Sequence, residues 1–342
     1  MKDAERLLQF LSKNKRSVSP LLILTHDYPD PDSMASAFAL HYLAKNQYGI
    51  DSKIVYGGLI SRIENRYMVN LLKIPLRKLK GSDLKKFSHY VLVDTQPGFG
   101  NNSFPKDRQA TIVIDQHPSI SKPEAELAIV NTRREATCEI LAQALLSLKK
   151  EIPANIATAL IYGILADTLN LSRARSRATF RIYLALLSHC DIKTLVRIQN
   201  PPRSKEFFTM LRRAIELASV HGSVIFCHLG FIQDPIFVAH TADFLLNYKG
   251  MRWAFCSGRY KGKLFISLRA ANPDALACEV LRDVVWQEET AGGHGSIAGG
   301  SLEVGKDAGE NVWISLEKKL IQRMVKRLHI SVSKQPTFVF KK

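Results

Sequence analysis

In the stretch LTHDYPDPDSMAS, His26, Asp30 and Asp32 fall within seven residues, and Pro29 and Pro31 stiffen the turn between them. An imidazole and two carboxylates on one rigid turn make a donor set for a divalent cation such as manganese, which takes both nitrogen and hard oxygen ligands. The bland alternative is a solvated acidic turn that caps the following helix. It is strongest for Asp32, one place before Ser33, a residue able to cap that helix. Asp94 closes the apolar run YVLVD, and Asp115 and His117 close TIVIDQH with Gln116 between them. A single aspartate in such a place is often only a turn former, but their accumulation at the ends of successive apolar runs is harder to read that way. Asp167 ends the apolar GILADT and is followed by Arg173, Arg175 and Arg177. Those guanidinium groups suit either a structural ion pair or the reception of phosphate oxygens. Further on, Arg269 ends LFISLRA as a possible second phosphate clamp, and GGHGSIAGG places Gly292, Gly293 and His294 in a run whose N–H groups can approach an anion closely. This run fits neither a P-loop nor a dinucleotide fingerprint. No convincing Ser-His-Asp or Cys-His arrangement accompanies these residues.

The elements that must carry them read as α/β. Leu21 to Thr25, Lys53 to Gly58, Tyr90 to Asp94 and Thr111 to Asp115 are short apolar runs of strand length, interleaved with helical periodicity. That alternation predicts a mainly parallel sheet covered by helices on both faces. Helices are expected over SMASAFALHYLAKN, capped by Ser33, over EATCEILAQALLSLKK, and over PANIATALIYGILADT, with Pro153 near its start. The double proline of RIQNPPRSKEF marks a linker. Beyond it the strands read as antiparallel, notably RWAFCSGRYKGKLFISLRA with a turn at Lys261 and Gly262, followed by helices over PDALACEVLRDVV and GENVWISLEKKLIQRMVKRL. The expected organisation is a domain over 1–195, a linker and start of a connecting helix over 196–215, a smaller α/β domain over 216–330, and a loose tail over 331–342.

With 342 residues and 46% hydrophobic content the chain can bury two cores. Forty-eight Lys and Arg against 31 Asp and Glu give a formal charge of +17, which favours polyanionic partners such as nucleotides or nucleic acid. No apolar run of ~18 residues is present, and the start MKDAERLLQF is charged where a signal peptide is apolar, so no membrane partner and a cytoplasmic location are expected. The five cysteines are widely spaced without a CxxC pair and read as buried thiols.

Taken in order, the motifs resemble the DHH phosphoesterase superfamily, which includes RecJ-like enzymes, and more closely its small oligoribonucleases with phosphoadenosine phosphatase activity. The matching residues are His26-x-x-Pro29-Asp30-x-Asp32, Val93-Asp94, Asp115-Gln116-His117 and Gly163-Ile164-x-x-Asp167-Thr168. Ser267-Leu268-Arg269 and Gly292-Gly293-His294-x-x-x-Ala298-Gly299 are similar to the associated C-terminal domain of that family. The resemblance implies a phosphoesterase with two divalent ions, typically Mn2+, and a metal-activated water as nucleophile. It implies that His26 and Asp30 hold one ion, that Asp32 and Asp167 hold the other, and that Asp94 bridges them. His117 would stabilise phosphoryl oxygens and Asp115 would orient the site. Arg269, Gly292, Gly293 and His294, with Arg173 as a further candidate, would bind substrate across a cleft between the domains. Implied substrates are short RNA oligonucleotides (nanoRNA) or 3′-phosphoadenosine 5′-phosphate, with cyclic or linear dinucleotides as the alternative; a homodimer is compatible with the resemblance. One position departs from the family, which usually has a metal-ligating histidine where this chain has Gln116. An amide oxygen there is a weaker ligand than imidazole, so a weakened second site, or a non-catalytic nucleotide-binding regulator, is the competing expectation.

Overall fold

A computed structural model describes residues 2–119, 121, 123–286, 291–330 and 337–340, with the backbone only at His294 and Thr337. The chain forms two compact units, Met1–Pro201 and Pro202–Lys342.

The first unit runs α1 (Lys2–Asn14), β1 (Leu21–Leu24), α2 (Pro31–Tyr48), β2 (Ser52–Tyr56), α3 (Ile63–Leu72), β3 (Leu76–Lys78), α4 (Gly81–Lys86), β4 (His89–Val93), β5 (Ala110–Asp115), β6 (Ala125–Val130), α5 (Cys138–Ser147), α6 (Ala154–Asp167), α7 (Arg177–Leu187) and α8 (Ile192–Gln199). The strands form one parallel sheet in the order β3-β2-β1-β4-β5-β6. Winding therefore reverses between β1 and β4, and the carboxyl edge at such a reversal is where open α/β sheets place ligands. Side-chain alternation divides the core. Ile23, Val91, Val93, Ile112 and Ile114 join one apolar cluster with α1, α2, α5 and α6. Leu22, Leu24, Tyr90, Leu92 and Val113 join another with Phe87 and Phe104. Burial on both faces accounts for the uninterrupted apolar runs. The covering is unequal: among the described residues, the second face is met by the short α4 through Leu84, its C-cap Phe87, Leu79 and the segment around Phe104.

The start of α2 corrects one sequence expectation. Asp30, not Ser33, is the cap: its Oδ1 accepts the Ser33 N–H at 2.9 Å, and Ser33 Oγ accepts the Asp30 N–H at 3.1 Å. This is a reciprocal capping box with Pro31 inside the first turn. Helix α6 lies close against α2 at Gly163, where a Cβ would stand 2.9 Å from Cys138 Sγ and 3.3 Å from Asp32 Cα.

The second unit runs α9 (Lys205–Leu217), β7 (Ser219–His221), β8 (Val224–Phe231), α10 (Ile236–Leu245), β9 (Trp253–Tyr260), β10 (Lys263–Ala270), α11 (Ala277–Val285), β11 (Ala291–His294), β12 (Ile297–Glu303), α12 (Glu310–Arg327) and β13 (Thr337–Phe338). Its seven-stranded sheet has the order β11-β12-β10-β9-β8-β7-β13. β9 and β10 form the expected hairpin, with Lys261 and Gly262 both left-handed at φ 49° and 80°, as a tight two-residue hairpin turn requires. The all-antiparallel expectation fails at β8 and β9, which pair in parallel because α10 supplies the crossover. Inside this unit Arg259 is buried; its Nε and Nη2 donate to Glu317 at 2.8 Å and its Nη1 to Glu310 at 2.7 Å, beside the rings of Phe231 and Trp313. Of the predicted tail, Ser331–Pro336, Lys341 and Lys342 lie outside the described residues, and Thr337–Phe338 pair with β7. All five cysteines are free; Cys138, Cys227 and Cys256 are buried, whereas Cys190 and Cys278 are only half-buried. Among the described residues no helix is long and apolar enough to cross a membrane.

Candidate metal centre

Strand ends place the first donors. The turn after β1 carries His26 and Asp30, Asp94 follows β4, and Asp115 ends β5. His26 Nε2 lies 3.6 Å from Asp30 Oδ1 and 3.8 Å from Asp94 Oδ2. His117 Nδ1 lies 3.6 Å from Asp94 Oδ1 and 2.8 Å from Asp115 Oδ1. Each oxygen of Asp94 thus faces a different imidazole. Among the described residues, two groups have donor atoms within 4.8 Å of one another, His26–Asp30–Asp94 and Asp94–Asp115–His117, and Asp94 is common to both. Asp94 also holds a left-handed backbone, φ 57°, a conformation that costs a non-glycine residue energy and is concentrated at functional sites.

Two positioning residues escaped the sequence reading. The backbone N–H of Thr137 donates to Asp32 Oδ2 at 2.6 Å and that of Cys138 to Asp32 Oδ1 at 2.7 Å, so the amino end of α5 is aimed at a buried carboxylate. Thr137 Oγ1 donates to Asp94 Oδ1 at 2.7 Å and accepts the Gln116 N–H at 3.2 Å. One threonine therefore fixes residues from three motifs. Its only sequence signal is its place just before an apolar helix. Gln96, two residues beyond Asp94, is also buried; its Nε2 donates to Asp115 Oδ2 at 2.7 Å and to His117 O at 3.0 Å, and its Oε1 accepts from Ser119 Oγ at 2.6 Å. Asp115 is held from both sides, one oxygen on Gln96 and the other on His117, which suits an orienting role.

Asp167 arrives from the end of α6 and accepts from Gln116 Nε2 at 2.7 Å. The glutamine therefore presents its amide nitrogen to this carboxylate, where an amide oxygen had been expected as a ligand. Beyond Asp167, Leu169, Asn170 and Leu171 are all left-handed, at φ 48°, 55° and 66°, and the Arg173 N–H closes the turn on Thr168 O at 3.0 Å. Arg173 is half-buried in this turn, while Arg175 and Arg177 are exposed.

Negative charge is concentrated here, and hydrogen-bond donors offset it only in part. Burial pushes Asp94 and Asp167 well above the usual carboxylate range, and the neighbouring carboxylates add to it. Asp32 is raised to about 6 by burial and by Asp30, against the N–H donors of Cys138 and Thr137. For Asp30, desolvation pushes upward, but His26 and Ser33 outweigh it and bring the group to about 2. His117 is raised, chiefly by its hydrogen bond to Asp115. The principal influences on Asp94 are desolvation and four other carboxylates, with no cation among them. Buried anions of this kind require protons or a cation. Imidazole and carboxylate donors arranged around a shared aspartate fit divalent metal.

In the second unit, the structure shows the surroundings of Arg269 and of the glycine-rich run. Arg269 is buried, its Nε donating to Asp243 at 2.5 Å and its Nη1 to Ser267 Oγ at 2.7 Å and to the Leu268 and Ala298 carbonyls. Nε and Nη1 are thus engaged within the unit. Gly292 and Gly293 belong to the β11–β12 hairpin, not to a free loop. Gly293 has φ 147°, and a Cβ there would meet Ile297 O at 2.2 Å. The side chain of His294 lies outside the described residues.

Residues 20–164 match the DHH family, N-terminal domain. Over 302 residues the chain is 32% identical to an uncharacterized protein of Methanocaldococcus jannaschii, covering 88% of this chain and 62% of that protein. It is 24% identical over 185 residues to a probable manganese-dependent inorganic pyrophosphatase of Streptococcus equi subsp. zooepidemicus, covering 52% of this chain and 57% of the relative. The chain thus spans about three fifths of the length of these relatives. The fold is similar to that of an exopolyphosphatase-related protein from Bacteroides fragilis, with a TM-score of 0.75 at 14% identity, covering 96% of this chain and 98% of that one.

Proposed function

We propose that this chain, whose residues 20–164 match the DHH family, N-terminal domain, is a divalent-metal-dependent phosphoesterase acting on short oligonucleotides or on 3′-phosphoadenosine 5′-phosphate. The observation that carries this reading is Asp94, shared between two donor groups and surrounded by carboxylates with no cation among its principal influences. The similarity to a probable manganese-dependent relative supports Mn2+ as the metal, and the charge of +17 supports a polyanionic substrate.

His26, Asp30 and Asp94 would hold one ion; by the resemblance Asp94, Asp32 and Asp167 would hold the second, although the second donor group formed among the described residues is Asp94–Asp115–His117 and both oxygens of Asp32 accept backbone N–H groups. When bound, such a pair lowers the pKa of water and steadies the attacking and leaving oxygens of an in-line displacement. The chain's own residues orient and balance charge. Asp115 engages Nδ1 of His117, so Nε2 is left as the ring's donor to a phosphoryl oxygen, and the raised pKa of His117 favours its charged form. Thr137 keeps one oxygen of Asp94 fixed. Gln116, a neutral amide bonded to Asp167, makes the second position the weaker one. The same bond favours a second reading, a nucleotide-binding regulator without turnover.

The test is hydrolysis, with Mn2+, of very short RNA oligomers, 3′-phosphoadenosine 5′-phosphate, and cyclic and linear dinucleotides. Turnover that falls at least about 10²–10³-fold in Asp94→Asn supports the enzyme. Undiminished turnover in that variant refutes the assignment of the centre, and tight binding without turnover in the unaltered protein selects the regulator.

A further inference from the structure

Helix α7 leads away from the metal centre. Glu135 Oε1 accepts the N–H groups of Arg175 and Ser176, the latter at 2.9 Å, and Thr179 Oγ1 donates to Glu139 Oε1 at 2.8 Å. The amino end of α7 is thereby tied to the start of α5, whose Thr137 and Cys138 N–H groups hold Asp32. From there outward, one strip of α7 carries two rows of side chains. Arg177 and Arg181 stand one turn apart, and Phe180 and Leu184 stand one turn apart beside them; all four are exposed. The repeat in each row is about 6 Å, four residues at ~1.5 Å each. α7 contains no acidic residue. Among the described residues, the side chains of Arg175, Arg177 and Arg181 enter no ion pair. A row of uncompensated cations alongside a row holding an exposed ring is what a single nucleic-acid strand requires, phosphates on the first and base faces on the second. A second copy of this chain on the same strip would set these cations against their own kind.

We propose that this strip is a track for single-stranded RNA, on which the nucleotides beyond the scissile phosphate lie with their phosphates on Arg175, Arg177 and Arg181 and a base stacked on Phe180. Glu135 is the positioning residue, because it fixes the start of the track against the helix that holds Asp32. A substrate too short to leave the metal centre gains nothing from the strip, so α7 sets a preference for length. This assignment rests on reading the substrate as a short oligonucleotide.

The experiment measures binding of fluorescein-labelled RNA of two and of five residues to the full chain with Mn2+, over a range of salt. Phosphorothioate linkages keep one charge each and resist cleavage. In the double variant Arg177→Ala/Arg181→Ala, the dissociation constant of the longer RNA should rise about tenfold relative to that of the shorter, and the slope of log K against log salt should shrink by about 1.4, two phosphates at ~0.7 each. Phe180→Ala should weaken the longer RNA at least about fivefold with the slope unchanged. All three side chains are exposed, so these variants keep the fold. Equal weakening of both lengths, an unchanged slope in the double variant, or no loss in Phe180→Ala overturns the track. Displacement of the RNA by hexaglutamate as readily as by unlabelled RNA also overturns it, and marks a face for acidic protein instead. Manganese-dependent cleavage of bis(4-nitrophenyl) phosphate, an ester too short to reach α7, tests the phosphoesterase reading separately. Cleavage without the length-dependent loss defeats the track alone, whereas the length-dependent loss without cleavage supports the track and defeats the phosphoesterase reading.

Discussion

Both units bury charge, and the metal centre of the first and the buried arginines of the second do so in opposite ways. In the second unit Arg259 is met by Glu317 and Glu310 and flanked by two rings, and Arg269 is met by Asp243. Each buried guanidinium has its counter-charge within the fold. In the first unit, Asp32, Asp94 and Asp167 are crowded at one sheet edge, and burial first and neighbouring carboxylates second raise their pKa, Asp30 acting on all three. Charge that serves packing is neutralised internally; charge left uncompensated requires something from outside.

The largest effect should come from breaking the compensated region. Glu317→Ala leaves the buried Arg259 with only the more exposed Glu310, and should cost roughly 3–5 kcal/mol in urea unfolding while leaving Mn2+ affinity unchanged. A cost below about 1 kcal/mol would show that the second unit does not depend on internal pairing.

Next is the pH response of the metal-free protein. Asp32 has a folded pKa of about 6 against an ordinary 3.8, so between those values the folded chain retains a proton that the unfolded chain has released. In EDTA, stability should be full below about pH 4 and fall, by up to about 3 kcal/mol for this group, as pH rises through 6. Asp30, lowered to about 2, acts in a separate window, favouring the fold above about pH 4 and losing that contribution as pH falls through 2. Mn2+ should abolish the loss near pH 6 and release protons on binding, measurable by calorimetry in buffers of different ionisation enthalpy. Flat stability from pH 4 to 7 without metal would mean that the carboxylates are compensated after all.

Smaller effects sharpen the contrast. Thr137→Val removes the hydroxyl that fixes Asp94 but keeps the N–H on Asp32; Mn2+ affinity should fall about 10–100-fold, and Thr137→Ser should restore it. Gln116→His exchanges an amide for an imidazole beside Asp167 and should tighten the weaker Mn2+ step by a few-fold to tenfold. Superimposable titrations of this variant and the parent would remove Gln116 from the centre.

The sheet of the first unit was legible because β1, β4 and β5 are almost wholly buried and lead into chemically distinctive residues, while β2 showed only as an apolar run. The edge strands β3 and β6 were not: Leu76–Lys78 is too short to show a period, and Ala125–Val130 alternates weakly. The motif residues themselves were legible as types, but not their partners. Thr137 meets Asp32 across 105 residues and Asp94 across 43, and no local pattern encodes such pairs. The partner of Arg269, Asp243, was hidden for the same reason, 26 residues away on another element. The direction of the Gln116 amide likewise depends on Asp167, 51 residues on.

Gly163 gives the centre a mechanical tolerance. Where α6 rests on α2, the gap is narrower than one methyl group, with Asp32 Cα and Cys138 Sγ on the far side. Any side chain at 163 would act as a wedge, driving apart the helices that bring Asp32 and Asp167 together without altering a single donor atom. The alignment of the carboxylates is thus set by a spacer of zero thickness, which itself supplies no donor atom.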